Sequence, residues 1–579
     1  MKKAKQALAF LNFSNKYSQI DIDKKLVYSL SPRKIPTGRQ FKYLKKFLNP
    51  KEYLVIKICI ILIILNLGYL GITFIKGHVN YTPKAGGSYV EAIVGYPKLI
   101  NPLYAKSRDV DNDLSRLIYS SLFEYNSYGE MVEDLVDDYQ ISEDGKEYII
   151  TIKEGVSWHN GEKLTIDDVI FTFNLIKDEN YRSPLRPEFI GVEVEKINDS
   201  KVKFVLVEAY APFLEMLTFG IMPKNIWENV GPDAASLNDL NLKPIGSGPY
   251  KFKSLIKSKS GDLKEYNLII NEDYYKQVPY IKNISFRFFA TCIEAIKSFD
   301  SNQLNGLSYL PFSNREELLA KDSTNIFNLI KPQIVGIFFN QKQNKILEKK
   351  EVRAALAGAI DKNKIISEVF SDVYKTTDSP ILKTNFAYGG EISRYDYNVD
   401  ESKKVINDNH LKIVLTVIDL NGNIEVAKRV EQDWERIGVE VELRIITLEQ
   451  ASNVIKSRDF EAIIYGQSIG GDPDIFSFWH STQTGAKGLN ITGFNNEEVD
   501  KLLLEGRTES STEKRKEKYY KLQELITAEI PAIFLYSPTY TYIQSKKIKG
   551  FEGQVLIEPA DRFSNVSDWY IKTNKKLTW

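Results

Sequence analysis

Cysteine is almost absent from this chain: there are two in 579 residues, Cys59 and Cys292. Cys59 lies inside an apolar run and Cys292 far outside it, so the two cannot pair within one chain. Folding must then rest on core burial alone, which is feasible at this length. Histidine is nearly as scarce. His78, His159, His410 and His480 show no His-x-x-x-His spacing, and no Cys-x-x-Cys accompanies them, so a structural zinc site is not expected. Charge of one sign is lacking too, with 77 Lys and Arg against 76 Asp and Glu. A balance this even argues against a nucleic-acid footprint over the whole chain. No phosphate-binding P-loop and no His-Glu-x-x-His occur, so no cofactor is expected and an enzyme is disfavoured.

Aromatic residues, in contrast, are plentiful: 33 Tyr and 30 Phe suffice for a large core and an aromatic-lined cleft. One long apolar run is also present, Tyr53 to Ile75. A bilayer-spanning helix needs about 20 such residues, and no second run of this kind exists. Lys57 lies close enough to its start to snorkel to the headgroups, and Asn66 is the awkward polar residue inside it. Residues 1–52 are rich in Lys and Arg, whereas the flank after the run carries Lys76 and Lys84. By the positive-inside rule the N-terminus stays in the cytoplasm and everything after Ile75 is exported. The expected location is the cell membrane, single-pass, with the C-terminal domain extracytoplasmic. A cleaved signal peptide is the alternative. It fits less well, because the basic leader exceeds a secretory n-region and no small-residue cleavage motif follows Ile75.

Residues 76–87 read as a linker ending in Gly86-Gly87. Beyond it, strand and helix patterns alternate. Ser88 to Val94 alternates as a strand, and Asp111 to Phe123 has helical spacing at Leu114, Leu117, Ile118 and Leu122. Thr165 can cap a helix running to Lys177, with Asp167 and Asp168 in its first turn. Asp361 can cap another, Lys362 to Phe370. From Leu411 onward a strand (to Val417), a helix (Asn423 to Ile437), a strand (Val439 to Ile446), a helix (Thr447 to Lys456) and a strand (Phe460 to Tyr465) follow in turn. That series implies an α/β domain containing parallel strands, with its ligand edge at their carboxyl ends.

Several local patterns, taken in order, resemble one family. They are Gly86-Gly87-Ser88-Tyr89, Ile100-Asn101-Pro102-Leu103, Trp158-His159-Asn160-Gly161-Glu162 leading to Thr165-Ile166-Asp167-Asp168-Val169, and Pro244-Ile245-Gly246-Ser247-Gly248-Pro249-Tyr250. Phe339-Asn340, Val352-Arg353-Ala354-Ala355-Leu356, Pro531-Ala532-Ile533-Phe534-Leu535-Tyr536 and Ile548-Lys549-Gly550-Phe551 continue the set. The chain from about residue 84 resembles the extracellular solute-binding protein family 5, the peptide- and nickel-binding components of ABC importers. The resemblance implies an α/β, two-lobed periplasmic-binding-protein-like fold (type II) with an extra inserted subdomain, here preceded by one N-terminal transmembrane helix. Its expected boundaries are a basic leader at 1–52, an anchor at 53–75, a linker at 76–87, lobe I at 88–339 with the insertion near 128–235, lobe II at 340–535, and a return to lobe I at 536–579. Chain crossings near Phe338-Phe339-Asn340 and Tyr536-Ser537-Pro538 would be the hinges.

The implied partners are a peptide or similar oligomeric solute, an ABC permease with its ATPase subunits, and the membrane through the N-terminal helix. The ectodomain is expected to be monomeric. Alternatives are a non-peptide ligand, such as a metal chelate or an oligosaccharide, or a tethered sensor or chaperone. The segment most suited to face ligand is Tyr465-Gly466-Gln467-Ser468-Ile469-Gly470-Gly471-Asp472-Pro473-Asp474, leading to Phe478-Trp479-His480. Its glycines let a ligand approach the backbone; an ordinary strand-to-helix connection is the plainer reading. Peptide-binding members of the family hold the ligand's α-amino group with an Asp a few residues before the Asp-Pro pair. No acid stands there in this chain, and Asp472 is the available substitute. The candidate ligand-binding residues are Tyr96, Asn101, Tyr104, Tyr309, Asn340, Gly466, Gln467, Ser468, Ile469, Gly470, Asp472 and Trp479, with Pro311 beside Tyr309. For each tyrosine, core packing is the competing reading. Gly246-Ser247-Gly248 reads as a tight turn rather than a phosphate cradle, His159 as a local hydrogen bonder, and Arg353 as an ion-pairing helix residue.

Overall fold

In the computed structural model, which describes residues 48–301, 303–310, 323–407, 411–420 and 422–577, the chain divides into two units. One comprises residues up to Thr82 together with the segment from Thr573 on; the other runs from Pro83 to Lys572. Most of the basic leader, Pro311 and His410 lie outside the described residues.

In the first unit the apolar run forms the helix Pro50–His78, of which Pro50–Phe74 is long and apolar enough to cross a membrane. Its polar side chains turn back on their own helix. Asn66 Nδ2 donates to the Leu62 carbonyl at 2.9 Å and Thr73 Oγ1 to Leu70 at 2.9 Å, which lowers the cost of a polar group on the apolar surface. The stretch expected as a linker contains a strand, Val79–Lys84, which pairs with Lys572–Leu577. Its β-branched and aromatic residues, Val79, Tyr81 and Thr82, favour that extended conformation.

The second unit is built on two large sheets. The first has seven strands in the order Thr324–Ile330, Thr539–Ser545, Gly306–Leu307, Ser88–Val94, Asn283–Phe289, Leu263–Ile270, Tyr250–Lys257. The second has six, in the order Lys375–Thr376, Ala532–Ser537, Gln333–Phe339, Ala462–Ser468, Lys412–Ile418, Glu440–Ile446. The alternating series read from the sequence forms here: Lys412–Ile418 pairs in parallel with both Glu440–Ile446 and Ala462–Ser468. Helices Asn423–Arg436 and Leu448–Ser457 provide the crossovers. Gln333–Phe339 is buried on both faces. Val335, Ile337 and Phe339 enter one core, while Ile334 and Phe338 enter another. A strand covered on both sides reads as continuous apolar sequence, as this one does.

The chain leaves the first sheet and enters the second at Lys331-Pro332, and it returns at Pro538. The first crossing therefore precedes the position expected near Asn340. Gln333–Phe339 was expected to close the first lobe but is instead a central strand of the second sheet. A four-stranded antiparallel sheet, Val136–Ile141, Glu147–Ile152, Lys201–Leu206 and Val192–Lys196, carries a core of its own with helix Ile166–Lys177. Asp168 caps that helix: Oδ2 accepts from Thr165 N at 2.8 Å, and Oδ1 accepts from Lys224 N.

Gly246 and Gly248 press against the end of helix Asp109–Ile118, where Gly248 N donates to the Ile118 carbonyl at 2.8 Å. A β-carbon at Gly246 would collide with that carbonyl. Close packing is what the glycines serve, and the turn's backbone is taken up by the protein itself.

Candidate ligand-binding cleft

A cavity of about 710 Å³ opens between the six-stranded-sheet region and the part that carries the four-stranded sheet. From the latter come Tyr128, Gly129, Met131, Tyr148, Pro212 and Glu215; from the former come Leu382, Asn385, Phe386, Ile469, Gly470, Asp472 and Arg515. Pro332, at the chain crossing, also lines it. The volume falls in the range of small-ligand sites, roughly 300–1,000 Å³.

The electrostatics centre on a cluster at one wall. Asp472 Oδ1 meets Arg515 Nη2 at 2.7 Å and accepts from Asp474 N at 2.9 Å. Glu215 Oε2 accepts from Asp472 N at 3.0 Å. Burial raises the Asp472 carboxyl against the pull of Arg515. Burial, with the neighbouring Asp472 charge, pushes Glu215 up to about 7. Arg515 also donates Nε to the Gly506 carbonyl at 3.0 Å, so its guanidinium is held on two sides. Gly471 makes the approach possible. A β-carbon there would lie 2.8 Å from Tyr125 Cε1 and 3.1 Å from Glu215 Oε1.

Of the residues singled out from the sequence, Ile469, Gly470 and Asp472 line this cavity. Asp472 is committed to Arg515, which leaves it a poor substitute for a free amine-binding acid. Gly466, Gln467 and Ser468 were expected in a loop. They continue the strand Ala462–Ser468, opposite Val335, Ile334 and Gln333, because the antiparallel partner extends that far. Gly466 to Gly470 also matches Gly-x-Ser-x-Gly on paper, but Ser468 sits in extended strand rather than on a sharp strand-to-helix turn.

The others are not among the residues that line the cavity, and Tyr96 and Tyr309 are partly exposed elsewhere. Asn101 is fully buried, bonded to Asn241 and to the Leu103 amide. The Tyr104 hydroxyl donates to the Tyr181 carbonyl. Tyr96 packs near Phe288 and Tyr309 against Tyr540. Asn340 donates to the Arg458 carbonyl. Trp479 is core, 1% exposed, among Phe338, Phe494 and Phe534. Among the described residues Arg353 forms no ion pair of the expected kind; it donates to the carbonyls of Ile530, Leu347 and Glu529.

Sequence reasoning missed Tyr128, Met131, Glu215, Asn385, Phe386 and Arg515. Glu215 carried one available signal, a charged residue flanked by the apolar Phe213, Leu214, Met216 and Leu217, whereas Arg515 stands in a run of charged residues that gives none. The pairing that brings them together is visible only in three dimensions.

The model of the bacterial extracellular solute-binding proteins, family 5 Middle, matches residues 130–488. The chain belongs to this family. Members are solute-binding proteins rather than enzymes, and extracellular ones. This family 5 chain is 26% identical over 515 residues to the oligopeptide-binding protein AppA of Bacillus subtilis, covering 84% of this chain and 92% of AppA. Among solved structures, the ABC transporter substrate binding protein CtaP from Listeria monocytogenes matches with a TM-score of 0.74 at 27% identity, over 84% of this chain and 99% of CtaP. Bacillus subtilis AppA in complex with a nonapeptide matches with a TM-score of 0.63 at 25% identity, over 85% of this chain and all (100%) of AppA.

Proposed function

We propose that this protein captures peptides, or similarly extended oligomeric solutes, in the cleft and delivers them to the permease of an ABC importer. The observation that carries the reading is the roughly 710 Å³ cavity, walled by elements on either side of the crossings at Lys331-Pro332 and Pro538. The two short crossings suit hinge closure. The similarity to oligopeptide-binding AppA favours peptide over metal chelate or sugar. Asp472 is engaged by Arg515, and Ile469 offers no charge, so the ligand's α-amino group has no dedicated carboxylate on this loop. Recognition then rests on main-chain and apolar contacts, which suits longer peptides whose ends reach beyond the cavity. The helix Pro50–His78 is the single-pass tether that keeps the binding domain beside its permease, outside the membrane.

A thermal-shift titration of the full-length protein with a tryptic peptide pool tests this reading. Ligand at 100 times its dissociation constant adds about 2.7 kcal/mol to the folded state. A clear rise in melting temperature is expected with peptides. No rise with peptides, alongside a rise with oligosaccharides or nickel–histidine, would transfer the reading to that ligand.

A further inference from the structure

One wall of the cavity is a seam where the two sides of the cleft hydrogen-bond to each other. Glu215, on the short helix Phe213–Met216, reaches the Asp472 amide at 3.0 Å, and Tyr210 Oη reaches Asp474 Oδ2 at 3.3 Å. Ala211 N donates to the Arg507 carbonyl at 2.7 Å. These bonds join the region of the four-stranded sheet to the loop after Ala462–Ser468 and to the end of helix Glu497–Thr508.

The charges in the seam do not balance. Glu215, Asp472 and Asp474 are three acids; Arg507 and Arg515 are two bases, so full ionisation leaves one net negative charge in a largely dehydrated place. The groups facing Glu215 are Tyr125 from strand Phe123–Tyr125, Asp472 from the loop, and Arg515 from helix Thr512–Glu529; Asp472 is faced in turn by Asp474, Arg515, Tyr519 and Tyr210, and Tyr125 also by Asp561. Arg507, stacked on Tyr210, pairs with Asp474, and among the described residues no cation pairs with Glu215 itself. Parting the two sides would rehydrate Glu215 and remove it from Asp472, returning its carboxyl to the ordinary range.

We propose that this seam is a proton-dependent latch, in which closing the cleft takes up one proton from water onto the Glu215–Asp472 carboxyl pair, so that mildly acidic surroundings hold the cleft shut and alkaline ones loosen it. The inference rests on reading the cleft as the ligand site and adds its regulation. The sign follows from linkage. A carboxyl raised in the closed form favours closure fully below its open-state value near 4.5, and that advantage is lost as pH rises through about 7.

The test uses the full chain in detergent micelles, without ligand. Cys59→Ser and Cys292→Ser remove the native thiols, and spin labels at Val207→Cys and Leu504→Cys, both well exposed, report the distance across the seam. Between pH 8 and pH 5.5 the ratio of short to long distances is expected to rise by up to about tenfold per pH unit, the limit for one linked proton. Glu215→Gln keeps an oxygen to accept from the Asp472 amide but cannot ionise, so the short distance should dominate at both pH values. Tyr125→Phe removes a hydroxyl that favours the ionised carboxylate and should move the transition to higher pH. It stands in if Glu215→Gln does not fold. A wild-type distribution unchanged across this range, or a Glu215→Gln chain that follows pH as wild type does, overturns the latch. Because no ligand is present, either result leaves the peptide reading to its own titration.

Discussion

The guanidinium of Arg562 lies fully buried between two acids, with Nη2 2.7 Å from Glu91 Oε1 and Nη1 2.5 Å from Asp113 Oδ1. The hydroxyls of Tyr89 and Tyr542 complete the Glu91 carboxylate at 2.6 and 2.8 Å. This network ties the C-terminal return to the strand Ser88–Val94 and to helix Asp109–Ile118. Removing the cation alone strands two carboxylates, so Arg562→Met is expected to destabilise the protein by about 3–5 kcal/mol in urea unfolding. A loss under 1 kcal/mol would show that the network is not what holds the return in place. Nothing in the sequence marks Arg562, because its partners lie hundreds of positions away along the chain. His159 is the opposite case. Its Nδ1 accepts from Gly246 N at 3.2 Å and its Nε2 faces the Gly248 carbonyl at 3.1 Å, the local hydrogen bonding read from its turn. Burial lowers it to about 4, so it stays neutral and uncharged at physiological pH.

At the scale of elements, legibility followed the range of the interactions. The helices capped by Thr165 and Asp361, and the strand-helix series from Lys412 to Ser468, were readable because caps and periodicity are local. The strand Ala462–Ser468 ran past its expected end, since only pairing with the distant Gln333–Phe339 keeps Gly466 to Ser468 extended. The same cause misplaced the first crossing. In the candidate site, glycines and the Asp-Pro pair pointed to Ile469, Gly470 and Asp472, whereas Glu215 depends on tertiary approach at Gly471 and Arg515 on the packing of helix Thr512–Glu529 beside the loop. The helix Pro50–His78 is the element whose role is most open to direct trial. The full-length protein should stay with membranes through an alkaline carbonate wash. Ile61→Arg with Leu65→Arg, each costing about 2.5–3.5 kcal/mol at the centre of a span, should release it. A wild-type chain that washes off would remove the tether from this account.

Across the whole molecule, the two large sheets are joined by short crossings, with the cavity beside one of them and the Glu215–Asp472 seam along its wall. In the function proposed above, closure would belong to the crossings, recognition to the lining and tethering to the N-terminal helix, so each can be tested apart from the others. The central claim is that the cleft holds a peptide. Native mass spectrometry of the full chain, purified without refolding, tests it most directly when wild type is set beside Thr384→Trp, whose exposed position lets an indole fill the cavity at little cost to the core. The account predicts an added mass in the peptide range on wild type, lost on denaturation and absent from Thr384→Trp. A wild-type protein that stays bare after incubation with a tryptic peptide pool, or a peptide mass retained equally by Thr384→Trp, would contradict it.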